Sequence, residues 1–161
     1  MSAPRPSRPA AGLLSRLAVW LLSVVVCLSA AGCAGSSRTE ADYRLKAANT
    51  AEAAASAVGT ARLAVEAAGR GKATGPYLSV LLGEAEKDLA GAEQAFTSRQ
   101  PPGEAADKVR DQVEEALSDA GDALARARIA ARRGQVTESG TQVAELTKVK
   151  ERLDRLGEQL S

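Results

Sequence analysis

The sequence predicts an all-α protein: an antiparallel, alanine-rich helical bundle or a set of coiled-coil-like hairpins, with about four helices. Three observations lead to this prediction. Alanine, the best helix former, supplies 34 of the 161 residues. Apolar residues recur at alternating spacings of three and four, which places them on one face of a helix. Glycine and proline cluster at a few points between these stretches, where they separate one helix from the next.

Composition excludes several classes of function. The chain has no histidine, and its two cysteines, Cys27 and Cys33, lie near the N-terminus, so zinc sites, Cys–His catalysis and a disulfide framework are not expected beyond them. Residues 33–161 carry 18 basic and 20 acidic side chains, a balance that argues against nucleic-acid binding. Phosphate-binding glycine motifs and calcium-loop spacings are also absent from the sequence. We therefore expect no enzyme, no cofactor and no metal site.

The N-terminus has the three-part pattern of a secretory signal. A basic stretch at residues 1–16 is followed by a strongly apolar run from Leu17 to Leu28 and then by small residues. The twelve apolar residues would span about 18 Å as a helix, which is short of a hydrocarbon core of about 30 Å. We therefore predict a signal helix that is cleaved, with an uncleaved anchor as the alternative.

The residues that end this run, Ser29-Ala30-Ala31-Gly32-Cys33, resemble the lipobox of bacterial lipoproteins. The resemblance implies that Ala30, Ala31 and Gly32 are recognised by the signal peptidase and that Cys33 carries a diacylglycerol and becomes the first mature residue. Ala30 departs from the leucine that is usual there. The alternative is an ordinary secretory signal, which would leave Cys33 as an unpaired thiol outside the cell.

The predicted organisation has three parts: a signal peptide at residues 1–32, a lipidated tether at 33–39 and a helical bundle at 40–161. The six residues that follow Cys33 reach at most about 20 Å. Two acyl chains on one glycerol hold a protein stably on a membrane. We therefore expect an exported protein anchored through Cys33 to the outer face of the cell membrane, or of an outer membrane if the cell has one.

The first helix is predicted from Glu40 to Arg70. Its apolar seam is made mostly of alanine and consists of Ala47, Ala51, Ala54, Val58, Ala61, Val65 and Ala68. Because each alanine brings a single methyl group, the seam buries little area, and a neighbouring helix must approach closely to compensate.

The second helix is predicted from Tyr77 to about Ser98, after Gly75-Pro76. Its seam alternates bulky and small residues and consists of Leu78, Leu82, Ala85, Leu89, Ala92 and Phe96. These leucines are expected to fill the shallow surface that the first helix presents.

The third helix follows Pro101-Pro102-Gly103. Its seam consists of Ala106, Val109, Val113, Ala116, Ala120, Ala123, Ala127 and Ala130, and Leu117, Leu124 and Ile129 are expected to widen it. Four arginines lie near its end: Arg126, Arg128, Arg132 and Arg133. They indicate either a site for anionic lipid headgroups or compensation of the helix dipole, and the dipole reading is favoured.

The last helix is expected to start after Gly134, a predicted C-terminal cap, with Ser139 and Gln142 forming a capping box. Its stripe consists of Val143, Leu146, Val149, Leu153, Leu156 and Leu160. If the helix instead continued through Gly134, the last two helices would merge into one rod. The regular spacing of three and four is also used by coiled coils, so we predict a weak homodimer, with a monomer as the alternative.

A family resemblance covers about half of the chain, from Ala51 to Arg133. It is carried by Pro76-Tyr77-Leu78, by Ala85-Glu86-Lys87-Asp88-Leu89 and by Arg99-Gln100-Pro101-Pro102. These segments resemble a family of small alanine-rich helical lipoproteins of unknown function from bacterial envelopes, including those of actinomycetes. The resemblance implies a non-enzymatic envelope protein and supplies no site residues.

The expected function is therefore that of a lipid-anchored structural or protein-interaction module with an unknown partner in the envelope. The alternative is a carrier that holds a small apolar or anionic ligand in the bundle, although an alanine-lined seam leaves little volume for one.

Overall fold

A computed structural model of the chain describes residues 39–135 and 140–161, and these residues form four α-helices without a strand. The helices are α1 (Glu40–Gly69), α2 (Gly75–Thr97), α3 (Glu104–Arg132) and α4 (Gly140–Leu160). The predicted all-α class with about four helices is confirmed. Within the described residues, the helices found are all too short or too polar to cross a membrane.

Local signals set both ends of α1. Thr39 caps its start, because the side-chain Oγ1 accepts a hydrogen bond of 3.1 Å from the backbone N–H of Asp42. At the other end, Gly71 adopts a φ of 69° and the N–H of Lys72 donates to the carbonyl of Ala67 over 2.8 Å. These are the features of a Schellman motif, which satisfies the last carbonyls of the helix.

Two glycines should respond in opposite directions to substitution by alanine. Gly91 is exposed within α2, and a Cβ there would meet no atom within 4 Å. Gly91→Ala is expected to raise the free energy of unfolding by about 0.5 to 1 kcal/mol through helix propensity. Gly71→Ala is expected to lower it by about 1 to 2 kcal/mol, because Cβ disfavours a positive φ. Urea unfolding of both variants checks the pair, and shifts of the same sign would contradict the backbone conformation at Gly71.

The last two helices form an antiparallel hairpin. Helix α3 ends two residues before Gly134, which has a φ of 70° as expected of a C-terminal cap. Arg126 contacts Glu145 and Arg152 contacts Glu115, so residue numbers rise along α3 as they fall along α4. The alternative of one merged rod is therefore wrong. Ser139 of the predicted capping box lies outside the described residues.

Helices α1 and α3 each contact the other three helices, and α1 makes the more extensive contacts. Its interface with α4 is the largest, and α3, which lies diagonally across from it, also touches it. The reason is composition: the buried residues of α1 and α3 are mostly alanine, whereas those of α2 and α4 are mostly leucine. Two alanine-rich helices approach along the short diagonal, and the leucines of the other two fill the sides.

The predicted seams match the observed core closely. Every predicted seam position in the four helices is buried or partly buried. The exception among the predicted core residues is Ile129, which was expected to widen the third seam but is 46% exposed. Ile129 follows Ala120 by nine residues, or two and a half turns, so it lies on the opposite face of α3.

Candidate functional site

The residues of the predicted lipidation site, Ala30, Ala31, Gly32 and Cys33, lie outside the described residues. The described bundle begins directly after the predicted tether, with Thr39 capping α1. Because the helices are antiparallel, the bundle has two ends. The proximal end contains the start of α1, the α2–α3 connection at residues 98–103 and the C-terminal Ser161; the distal end contains the connections at residues 70–74 and 133–135.

Arginine side chains fasten the proximal end. The Nη2 of Arg110 donates to the carbonyls of Thr97 and Arg99 over 3.0 and 3.1 Å, which ties α3 to the end of α2. The Nη2 of Arg44 donates to the carbonyl of Gln159 over 3.1 Å and ties α1 to the end of α4. The carbonyls of Thr97 and Gln159 lie in the last turns of their helices and have no partner there, so these bonds satisfy them. The proximal end is therefore held by specific polar contacts as well as by the core.

Tyr43 is the largest fully buried residue at this end. Its ring packs against that of Phe96 with a centroid separation of 5.4 Å and an interplanar angle of 45°. Its hydroxyl makes no hydrogen bond with any residue in the described ranges. Burial raises the pKa of Tyr43, and the nearby Arg110 lowers it by a smaller amount. Tyr43 therefore anchors the core through its ring and gains little from its hydroxyl.

Replacing Tyr43 by phenylalanine should accordingly leave the protein as stable as before or more so. The substitution keeps the ring contact and removes a buried hydroxyl without a partner, so the free energy of unfolding at pH 7 should rise by about 0 to 1 kcal/mol. The variant should also flatten the stability profile at alkaline pH. The unfolded chain loses its Tyr43 proton near pH 10, before the folded chain does, because the pKa of Tyr43 is raised in the folded state. The part of the stability that depends on this proton is therefore complete below about pH 10 and is lost as pH rises through the folded pKa.

Urea unfolding at pH 7 measures the first effect, and a series between pH 9 and pH 11 measures the second. Arginine and lysine residues are shared by the two proteins, so the difference between the profiles isolates Tyr43. A loss of more than about 1 kcal/mol at pH 7 would contradict this description, because it would mean that the hydroxyl has a hydrogen-bond partner.

The four arginines near the end of α3 do not form one site. The Nη2 of Arg126 lies 2.7 Å from Oε1 of Glu145 on α4, and this hydrogen bond raises the pKa of Arg126. The Nε of Arg128 lies 3.0 Å from Oε1 of Glu86 on α2. Arg126 and Arg128 therefore form ion pairs with different helices. Only Arg132 and Arg133 lie at the distal end. The predicted headgroup site of four arginines is not assembled.

A surface groove of about 330 Å³ lies between α3 and α4. It is lined by charged side chains and one valine: Asp119, Arg126, Glu145, Lys148, Val149, Arg152 and Arg155. Arg152 is the central residue, because its guanidinium contacts Asp119 and lies 3.1 Å from Oε1 of Glu115. Two of the arginines that line the groove, Arg126 and Arg152, therefore form ion pairs with acids of the facing helix. These ion pairs connect α3 to α4. A small anion would have to compete with the carboxylates for the arginines.

The core at the distal half of the bundle is tightly filled. The cavity lined there by Val65, Leu78, Ala127 and Ala130 measures about 10 Å³, no more than one water molecule needs. Among residues 39–135 and 140–161, no group of three or more acidic side chains is placed to hold a metal ion. A ligand larger than a water molecule would not fit into this cavity.

Sequence reasoning missed Tyr43 and the pairs between helices. Tyr43 lies four residues before Ala47, so the first seam extends one turn further upstream than predicted, and this spacing was the signal. The contact of Arg152 with Glu115 has no such signal, because the two residues are 37 positions apart and meet only when α3 and α4 fold together.

The described part of the chain is an up-and-down four-helix bundle. Comparison of the chain with protein-family models, with curated proteins and with solved structures finds no match.

Proposed function

We propose that this protein is a lipid-anchored, non-enzymatic module of the cell envelope with a structural or protein-interaction role. Diacylglycerol on Cys33 would hold it on the outer face of the cell membrane, or of an outer membrane if the cell has one. The observation that carries the proposal is the run Ala30-Ala31-Gly32-Cys33 at the end of an apolar segment, followed seven residues later by the first helix. Such a short tether would keep the proximal end within about 20 Å of the headgroups.

Mass spectrometry of the protein purified from its own membranes tests this proposal. The expected N-terminal peptide begins at Cys33 and carries the mass of a diacylglycerol. A mature chain that starts elsewhere, or an unmodified Cys33, would overturn it. The partner would be sought by cross-linking in intact cells, because the proposal expects an envelope protein rather than a small molecule.

A carrier of a small anionic ligand is the second candidate, and the groove between α3 and α4 is the observation that favours it. Its volume of about 330 Å³ falls at the lower end of the range for small-molecule sites. Lys148 would be the cation to meet the anion, since Arg126, Arg152 and Arg155 already contact acids. Thermal unfolding with inorganic phosphate and with short-chain dicarboxylates would separate the two functions, because only a carrier is stabilised by a small ligand.

A homodimer is still a prediction. The regular seams that suggested it are buried inside one chain, so a second copy would have to use a different surface.

A further inference from the structure

Charge is distributed unevenly along the bundle. The distal part, residues 60–81 and 124–147, has seven basic side chains and three acidic ones, of which Glu138 lies outside the described residues. The rest of the bundle, residues 39–59, 82–123 and 148–161, has ten basic and seventeen acidic side chains. The proximal part is therefore strongly acidic, and the distal part is basic.

Three of the distal cations are exposed and form no ion pair with the acids that the structure describes. Lys72 lies in the α1–α2 connection, and Arg132 and Arg133 lie at the end of α3. None of the three has an ion pair with another described residue. One cation in the last turn would suffice to compensate the dipole of α3, and Lys72 does not belong to that helix at all.

Exposed apolar side chains concentrate in the same part of the molecule. Of the five large hydrophobic residues that are exposed among the described residues, Leu63, Tyr77, Val80 and Ile129 are distal and only Leu45 is proximal. Tyr77 and Val80 are three residues apart on α2, and Ile129 and Arg132 are three apart on α3, so each pair shares a helix face. The distal patch is defined as Lys72, Tyr77, Val80, Ile129, Arg132 and Arg133, the exposed cations and apolar side chains that the α1–α2 connection, α2 and α3 carry in this part of the bundle.

We propose that the distal patch is a docking surface for an acidic protein. The proposal names the chemistry of the partner expected above, and it rests on the proposed function for the orientation of the bundle. Arginine and tyrosine are enriched at protein interfaces, where buried apolar contacts supply most of the affinity and charge supplies selection and speed of association. A polyanion such as a phosphate polymer would use the three cations but would gain nothing from Tyr77, Val80 and Ile129.

Two other occupants fit the surface less well. The 30 residues of α1 separate the two ends by about 45 Å, several times the Debye length of about 8 Å, so a bundle anchored at its proximal end and standing upright keeps the patch away from the headgroups. A second anchored copy would present its acidic end at the membrane, a helix length below the patch of its neighbour. A separate acidic protein is the occupant that matches both the charge of the patch and its distance from the membrane.

Binding of defined polymers to the mature protein in nanodiscs of phosphatidylcholine tests the proposal. The probes are a random glutamate–tyrosine copolymer, polyglutamate of equal length, polyphosphate, and vesicles containing phosphatidylglycerol. We expect the copolymer to bind about tenfold more tightly than polyglutamate or polyphosphate, because it adds apolar contacts to charge. The double variant Arg132→Glu/Arg133→Glu should weaken copolymer binding at least about tenfold, and Val80→Ser should weaken it several-fold without changing polyglutamate binding.

The matched control is Lys46→Glu/Lys108→Glu, which reverses two exposed cations of the proximal part and should leave binding unchanged. Circular dichroism confirms that each variant is folded. Equal affinity for polyphosphate, preference for the anionic vesicles, insensitivity to Arg132→Glu/Arg133→Glu or no binding to any probe would each overturn the proposal. Polymer binding can also be measured on the unlipidated protein in solution, so its outcome is independent of lipidation, whereas failure of the proposed function appears only in the mass of the N-terminal peptide.

Discussion

Cys33→Ala is expected to abolish labelling of the protein by fatty acid and to remove it from the membrane fraction. On the proposed function, two acyl chains would supply the membrane affinity, at about 0.8 kcal/mol for each buried CH₂, so their loss should be close to all-or-none. The variant should accumulate in the medium or as an uncleaved precursor that is longer by the signal peptide. Metabolic labelling and fractionation of cells that express each form measure both effects.

Cys27→Ala is the matched control for this experiment. Cys27 lies inside the apolar run and would leave with the signal peptide, so its replacement should change neither labelling nor location. If Cys33→Ala kept its label, or if Cys27→Ala lost it, the lipid would be attached elsewhere. If neither form were labelled and both were secreted, the N-terminus would be an ordinary secretory signal.

The second large effect is expected in the core. Leu82 is fully buried in α2, the helix that packs against both α1 and α3. Leu82→Ala should lower the free energy of unfolding by about 2 to 5 kcal/mol, because it removes apolar contacts and leaves a cavity that the helices close only in part. That loss is a large share of the about 5 to 15 kcal/mol that stabilises a typical domain. Urea unfolding followed by circular dichroism measures the change.

A control for the core prediction needs an exposed residue on the same helix. Glu86 is unsuitable, because its side chain is only 22% exposed and its Oε1 lies 3.0 Å from Nε of Arg128. Glu84 is better, because its side chain is 62% exposed and lies 3.6 Å from the Nζ of Lys87, so Glu84→Ala should change stability by less than about 0.5 kcal/mol. Equal losses at Leu82 and Glu84 would mean that the buried face of α2 is misassigned.

The helices and their buried faces were predictable from the sequence because both depend on local information. A spacing of three and four defines one face wherever a helix forms, and glycine and proline mark where it ends. Gly134 shows the limit of this information. Gly134 is a C-terminal cap of α3, but the sequence alone does not distinguish a capping glycine from a glycine within a continuing helix. The observed φ of 70° identifies Gly134 as the cap.

The candidate site was less predictable, because it depends on which faces meet. Four arginines close together in sequence suggested one basic cluster, but consecutive helical residues point about 100° apart. Arg126 therefore reaches α4 and Arg128 reaches α2, and each finds an acid that is distant in sequence. Ile129 was misassigned for the same reason, since its place on the helix wheel is opposite to the seam.

Local sequence patterns predicted that the described residues are helical, where the helices lie and most of their buried positions. Those features follow from the propensity of alanine and from periodicity, which act within a few residues. The pairing of faces, in contrast, depends on the tertiary structure, in which α1 and α3 approach across the diagonal and α2 and α4 flank them. The antiparallel arrangement also places the α1–α2 connection and the end of α3 at the distal end, although Lys72 and Arg132 are 60 residues apart in the chain.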